Sequence, residues 1–181
     1  MTTNLFRGKT LKLTAKREGD IDIIASWDED PEYLRNVDTD IAVPRPAEHF
    51  EDEGNPGSNS FYFRLRTIED DRLIGFIVIH SIEWNNRAGT LAMGIGHAND
   101  RGKGYGSEAL QLILRYAFHE LNLNRVGLDV IEYNERGIRA YEKAGFKVEG
   151  RMRQAVQRDG KLCDRIIMGI LRSEWEVENK M

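Results

Sequence analysis

The sequence predicts an α+β fold: one domain, spanning residues 1–181, built on a mixed β-sheet of about seven strands flanked by helices. Three observations carry this. The chain has 181 residues, 40% of them hydrophobic, which suits a single domain with a real core. Its segments run in the order β-α-α-β-β-β-α-β-α-β-β. The early strands follow one another as an antiparallel meander, whereas the later ones are separated by crossover helices, so the sheet is mixed. No internal repeat, linker or low-complexity tract interrupts the series.

Each element has its own signal. Residues 7–15 alternate Leu11 and Leu13 with polar neighbours, as an edge strand does. Residues 20–27 place Ile21, Ile24 and Ala25 on one helical face. Pro44 and Pro56 flank a short acidic helix at 47–53. Residues 60–67 and 73–84 form a strand pair around the Asp70-Asp71 turn, and Asn85-Asn86-Arg87 turns the chain into the strand 89–96. Residues 106–121 carry Ala109, Leu110, Ile113, Leu114, Ala117, Phe118 and Leu121 at helical spacing. A strand at 125–131 leads to a helix at 136–144, which Gly145 stops. Residues 146–157 and 162–171 form a hairpin around Asp159-Gly160.

Composition narrows the function classes. A net charge of −4 argues against nucleic acid as a partner, because neutralising phosphates needs a basic surface. No apolar run approaches the roughly twenty residues of a membrane helix, and the N-terminus lacks a signal-peptide core, so no membrane partner and a cytoplasmic location are expected. The single cysteine, Cys163, rules out an internal disulfide and a multi-cysteine metal site. No metal is expected.

The stretch Arg101-Gly102-Lys103-Gly104-Tyr105-Gly106-Ser107 is the most informative. Three glycines at alternate positions, carrying two cations, run straight into a helix. Glycine lets successive N–H groups converge with no Cβ in the way, and the helix adds unpaired N–H groups and its positive dipole end. The result is a phosphate cradle. A Walker loop is excluded, since His97 stands where its first glycine is needed and Gly104 where its Ser or Thr is needed. A dinucleotide fingerprint is met by Gly104, Gly106 and Ala109, but a loop intervenes before it and too little chain follows for the usual open sheet. A nicotinamide-dependent oxidoreductase is therefore the weaker enzyme reading.

A third reading fits better. Arg101, Gly104 and Gly106, between a hydrophobic strand and a helix, resemble the acetyl-CoA pyrophosphate loop of the GNAT N-acetyltransferases. Asn134-Glu135-Arg136-Gly137-Ile138-Arg139-Ala140-Tyr141-Glu142-Lys143-Ala144-Gly145-Phe146 resembles that family's other signature: an Asn, an amphipathic helix, a Tyr, then Gly-Phe. The resemblance runs from about Leu5 to Trp175 and is nearest to the branch of ribosomal-protein and spermidine acetyltransferases. It implies the family's fold, acetyl-CoA as co-substrate, and direct transfer of acetyl to a primary amine.

It also implies roles. The loop residues 101–107 and Asn134 would hold the cofactor, and Gly94, Ile95 and Gly96 would lie along its acyl end. Independently, Gly94 and Gly96 fit a twisted strand, and Asn134 a helix N-cap. Tyr141 would protonate the leaving thiolate, or else simply pack against the sheet. The general base is not evident: strand 89–96 has neither acid nor His, although many relatives carry a Glu there. Glu83 on the preceding strand, His97 and a water-mediated route are the candidates.

The acceptor site is expected near Trp27-Asp28-Glu29-Asp30-Pro31-Glu32-Tyr33. There Trp27, Asp28, Glu29 and Tyr33 would form an acidic, aromatic mouth for a cationic amine; the plainer reading is a solvated helix end and a turn. Arg151, Arg153 and Asp164 on the final hairpin would either pair within it or meet the acceptor. The acceptor is a small-molecule amine or a protein N-terminus, and the assembly admits a homodimer. A CoA-binding sensor or catalytically degenerate homologue is the non-enzyme alternative.

Overall fold

A computed structural model describes residues 4–53 and 57–179 of the chain, so the break expected at Pro56 lies outside the described residues. Seven strands, β1 (Leu11–Thr14), β2 (Phe61–Thr67), β3 (Leu73–Glu83), β4 (Ala88–Ile95), β5 (Arg125–Ile131), β6 (Lys147–Arg158) and β7 (Lys161–Leu171), form one sheet in the order β1-β2-β3-β4-β5-β7-β6. Every neighbouring pair is antiparallel except β4 with β5. The helices are α1 (Asp20–Trp27), α2 (Pro31–Val37), α3 (Tyr105–Arg115), α4 (Glu135–Lys143) and α5 (Arg172–Glu178).

Three helical segments depart from the sequence expectation. The stretch read as a solvated turn is α2. Asp30 caps it by accepting the Glu32 N–H at 2.9 Å, and Pro31 occupies the first helical position, where its missing N–H costs nothing. The acidic segment at 47–53 is only a 3₁₀ turn, Ala47–Phe50. The C-terminal α5 carries Trp175 into the core against Phe118, ring centroids 5.6 Å apart. The helix expected to run to residue 121 does so by widening after Arg115 into a π turn, Tyr116–Glu120, closed by the Leu121 N–H to the Tyr116 carbonyl.

The two faces of the sheet are covered differently. On one, α3 presents Ala109, Leu110, Ile113 and Leu114 to a core that includes Leu65, Ile77, Val126 and Met168. On the other, α1 and α2 build a smaller cluster of Ile24, Trp27, Tyr33, Leu34, Phe50 and Leu73. The hairpin turn at Asp159-Gly160 has both residues at positive φ (50° and 71°), the geometry that matches strand twist in a two-residue turn.

The feature that positions the site is a fork. β4 and β5 pair over only three rungs, Ala88 to Arg125, Gly89 to Val126 and Thr90 to Gly127. Beyond Thr90, β4 stays with β3 and β5 stays with β7, so the two strands separate. In the β3–β4 ladder the Gly96 N–H bonds the Ile74 carbonyl, so Gly94 and Gly96 face β3. By strand alternation the N–H groups of Met93 and Ile95 face the open side of the fork.

Candidate active site

A cleft of about 200 Å³ opens at this fork. The end of β4 forms one wall, the loop into α3 its floor, and the first turns of α4 and the inner side of α2 the remainder.

The loop has the geometry its glycines require. Gly102 (φ 74°) and Gly104 (φ 85°) are left-handed, with open space where a Cβ would stand, so conformation rather than crowding demands glycine. Gly104 is the N-cap of α3 and offers no side-chain cap, so the N–H groups of Tyr105, Gly106 and Ser107 have no intrahelical partner. Gly106 and Ser107 line the cleft. A bare N-terminus of an eleven-residue helix opening on a cleft is suited to an anion.

Across the cleft, Asn134 caps α4: its Oδ1 accepts the Gly137 N–H at 3.0 Å. It also lines the cleft. About two turns on, Ala140 and Tyr141 complete this wall. Tyr141 packs edge-on against Phe146, centroids 5.8 Å apart, and its hydroxyl has no hydrogen-bond partner among the described residues. Burial, reinforced by the negative charge of Asp129, raises the phenol pKa to about 12. The group is therefore protonated throughout the working pH range and is a donor.

Arg101 is not a free cation. Only 7% exposed, it bonds the Ile95 and Gly96 carbonyls (3.3 and 2.6 Å) and pairs with Asp30 (3.0 Å) and Glu32 (3.3 Å). It ties the end of β4 to the start of α2. Lys103 is exposed and Tyr105 packs toward the core, and neither lines the cleft. The cation missed at the cleft is Arg136, half-exposed, in the first turn of α4 and 3.7 Å from Glu32. It lies inside the second signature, where the helix pattern gives no reason to single it out.

The structure gathers Gly94, Ile95, Arg101, Gly102, Gly104, Gly106, Ser107, Asn134, Tyr141 and Tyr33 around one cleft, while Gly96, Trp27, Asp28, Glu29, Glu83 and His97 do not line it. Trp27 and Asp28 are interior, each 1% exposed, so they are not a solvent-facing mouth: Asp28 is neutralised by Arg45 at 2.6 Å and Trp27 fills the small cluster. Glu29 is exposed and does not line the cleft. Glu83 lies outside the cleft, in a separate shallow depression near the start of β4, bonded to Asn86. His97 packs edge-on to Trp27 and does not line the cleft.

The strand glycines also have a packing reason that the sequence does not announce. A Cβ on Gly94 would meet Phe76 at 2.7 Å and Val37 at 3.1 Å, and one on Gly96 would enter the Trp27 ring. Gly94 makes room for Phe76 of β3 and for Val37 and Tyr33 of α2, and Gly96 for Trp27 of α1. Gly96→Ala is therefore expected to overpack this cluster and cost about 1–3 kcal/mol, read as a lower urea midpoint. On the hairpin, Arg151 pairs with Asp164 (2.8 Å) and Glu132 (2.9 Å), which is the pairing role.

Comparisons with known proteins agree with this geometry. The family model for the acetyltransferase (GNAT) domain matches residues 10–147. The SPbeta prophage-derived uncharacterized N-acetyltransferase YokL of Bacillus subtilis is 30% identical over 99% of both chains. The putative ribosomal N-acetyltransferase YdaF of the same organism is 31% identical over 75% of this chain and 76% of its own. Among solved structures, the spermidine N-acetyltransferase of Vibrio cholerae in complex with CoA and spermine superposes with a TM-score of 0.79 at 23% identity, covering 91% of this chain and 97% of that one. With a family match over most of its length and a relative similar end to end, this chain belongs to the GNAT family of N-acetyltransferases.

Proposed function

We propose that this N-acetyltransferase passes the acetyl group of acetyl-CoA directly to a primary amine of a small polyamine. The observation that carries the reading is the forked sheet with the free Tyr141 hydroxyl at its cleft. The pyrophosphate would lie on the Gly102–Ser107 backbone and the open N-terminus of α3, with Arg136 adding charge. The thioester would run along β4, where the N–H groups of Met93 and Ile95 face outward and stabilise charge on the carbonyl oxygen as the amine adds.

Magnitudes limit what Tyr141 does. A phenol near 12 is some 3.5 units weaker as an acid than a thiol near 8.5, so complete transfer to a free thiolate costs about 5 kcal/mol. Tyr141 is therefore best placed to hydrogen-bond the departing sulfur and hand over its proton as the nitrogen sheds one, which restores the phenol. Because its pKa is raised, the donor form persists, and turnover is not expected to fall between pH 7 and 10. A basic limb near pH 9 that disappears in Tyr141→Phe would contradict this.

A polyamine acceptor is supported by relatives: the spermidine N(1)-acetyltransferase of Escherichia coli is 35% identical over 44% of this chain. The test is CoA-thiol release across spermidine, spermine, simple monoamines and a peptide with a free N-terminus. At least tenfold higher kcat/KM for the polyamines is expected. A peptide preferred by that margin would move the reading to protein N-termini, and acetyl-CoA binding without turnover on any amine would make the protein a sensor.

A further inference from the structure

Glu32 of α2 and Arg136 of α4 meet at the cleft, Oε1 to Nη2, at 3.7 Å. The same oxygen is 3.3 Å from Arg101 Nη1. Neither contact holds Glu32 firmly. The first is longer than a hydrogen bond, and the buried Arg101 Nη1 has no hydrogen-bond partner among the described residues. Asp30, by contrast, is fixed: its carboxylate accepts from Arg101 at 3.0 Å and from the Glu32 N–H at 2.9 Å. Arg136 is badly placed for its own helix, because the first turn is where the macrodipole favours anions. Its neighbour Glu135 is bonded to Arg139, so Glu32 is the anion left to Arg136 among the described residues.

We propose that Arg136 is an exchangeable cation: a phosphate of acetyl-CoA draws it off Glu32, and Glu32 then holds an ammonium of the acceptor. The proposal rests on the acetyl-transfer reading above. In the free protein the carboxylates of Asp30 and Glu32 are balanced by the guanidiniums of Arg101 and Arg136. Once Arg136 turns to a phosphate, two carboxylates face one guanidinium, and the cleft wall on α2 carries an unmatched negative charge. The exchange is easy. Both side chains of the pair are more than half exposed, and such a pair contributes little, whereas a guanidinium can grip a phosphate with two parallel hydrogen bonds.

The released carboxylate is in the right place. Glu32 lines the same cleft as Met93 and Ile95 of β4 and Tyr141 of α4, along which the thioester would run. Asn36, one turn on from Glu32, lines it too; its Nδ2 bonds the Glu32 carbonyl at 2.8 Å, which leaves Oδ1 to accept from a ligand. The nitrogen that attacks must be neutral, so a carboxylate does not serve that nitrogen. It serves a second, charged nitrogen, which a polyamine has and a monoamine lacks. Each ligand therefore favours the binding of the other, through one arginine that changes partner.

The test is calorimetric titration of CoA and of spermidine, each alone and with the other at saturation, so that no turnover is involved. Wild-type protein is expected to bind spermidine about three- to fivefold more tightly with CoA present, and CoA by the same factor with spermidine present. Glu32→Gln is expected to bind CoA alone about two- to fivefold more tightly than wild type, because the competing carboxylate is gone, and to lose the coupling. Arg136→Gln is expected to bind CoA more weakly but spermidine alone more tightly, a gain that a merely structural ion pair would not give. In the double variant the CoA gain of Glu32→Gln should vanish. Coupling undiminished in Glu32→Gln would be attraction between the two ligands themselves, and it overturns the proposal while leaving acetyl transfer intact. A CoA gain that persists in the Arg136→Gln background would be plain charge repulsion and overturns it equally, as does spermidine that fails to bind the CoA complex. Wild-type protein that binds no CoA overturns the acetyl-transfer reading as well. Should Glu32→Gln fail to fold, Glu32→Asp, one methylene shorter, is expected to show the same CoA gain, and an unchanged CoA affinity there refutes the exchange.

Discussion

Gly104→Val and Gly106→Val are expected to lose acetyl-CoA affinity by roughly 30- to 150-fold, about 2–3 kcal/mol. The two act by different routes. Gly104 sits at φ 85°, a conformation that a β-branched residue resists, so valine would turn the loop's N–H groups away from the cleft. Gly106 has an ordinary helical conformation and lines the cleft, and a Cβ there would stand 3.5 Å from Met93, so a valine would take up space that the proposed reading gives to the phosphates. Calorimetric titration with acetyl-CoA reads both. Unchanged affinity in folded variants would remove the loop from the cofactor site. Arg101→Ala should differ in kind: it strips the clamp between β4 and α2 and is expected to lower stability more than affinity.

Tyr141→Phe is expected to reduce turnover by about tenfold to a thousandfold while leaving fold and acetyl-CoA affinity in place. Only a hydroxyl is removed, and that hydroxyl supports nothing else, since no described residue bonds it. The phenyl ring keeps its contact with Phe146. Single-turnover rates with spermidine separate this from an effect on product release. A wild-type single-turnover rate would assign Tyr141 to packing.

Much of this was legible in the sequence because the signals are local. The glycine spacing at 102–106, the apolar stripe from Ala109 to Phe118 and the Asp159-Gly160 turn each fix a backbone conformation within a few residues. What was missed depends on contacts between distant segments. The packing around Gly94 and Gly96 comes from Phe76 on β3 and from Tyr33, Val37 and Trp27 on α1 and α2, and nothing near either glycine announces those partners. Arg101 reads as a phosphate ligand until Asp30 and Glu32 are seen to neutralise it. Trp27 and Asp28 read as a mouth because a run of acids and aromatics gives no sign that Arg45 will bury one member of it. The Asp30-Pro31 start of α2 was the one missed element with a local signal, an N-cap followed by proline.

The measurement that bears most directly on the account is a product balance. Purified protein is mixed with acetyl-CoA and spermidine, and released CoA thiol, N-acetylated amine and protein mass are followed together. Direct transfer across the fork requires one acetylated amine per thiol from the first turnover, with no acetylated protein at any time. Thiol released without acetylated amine, or an acetyl group appearing on the protein before it reaches the amine, would contradict it.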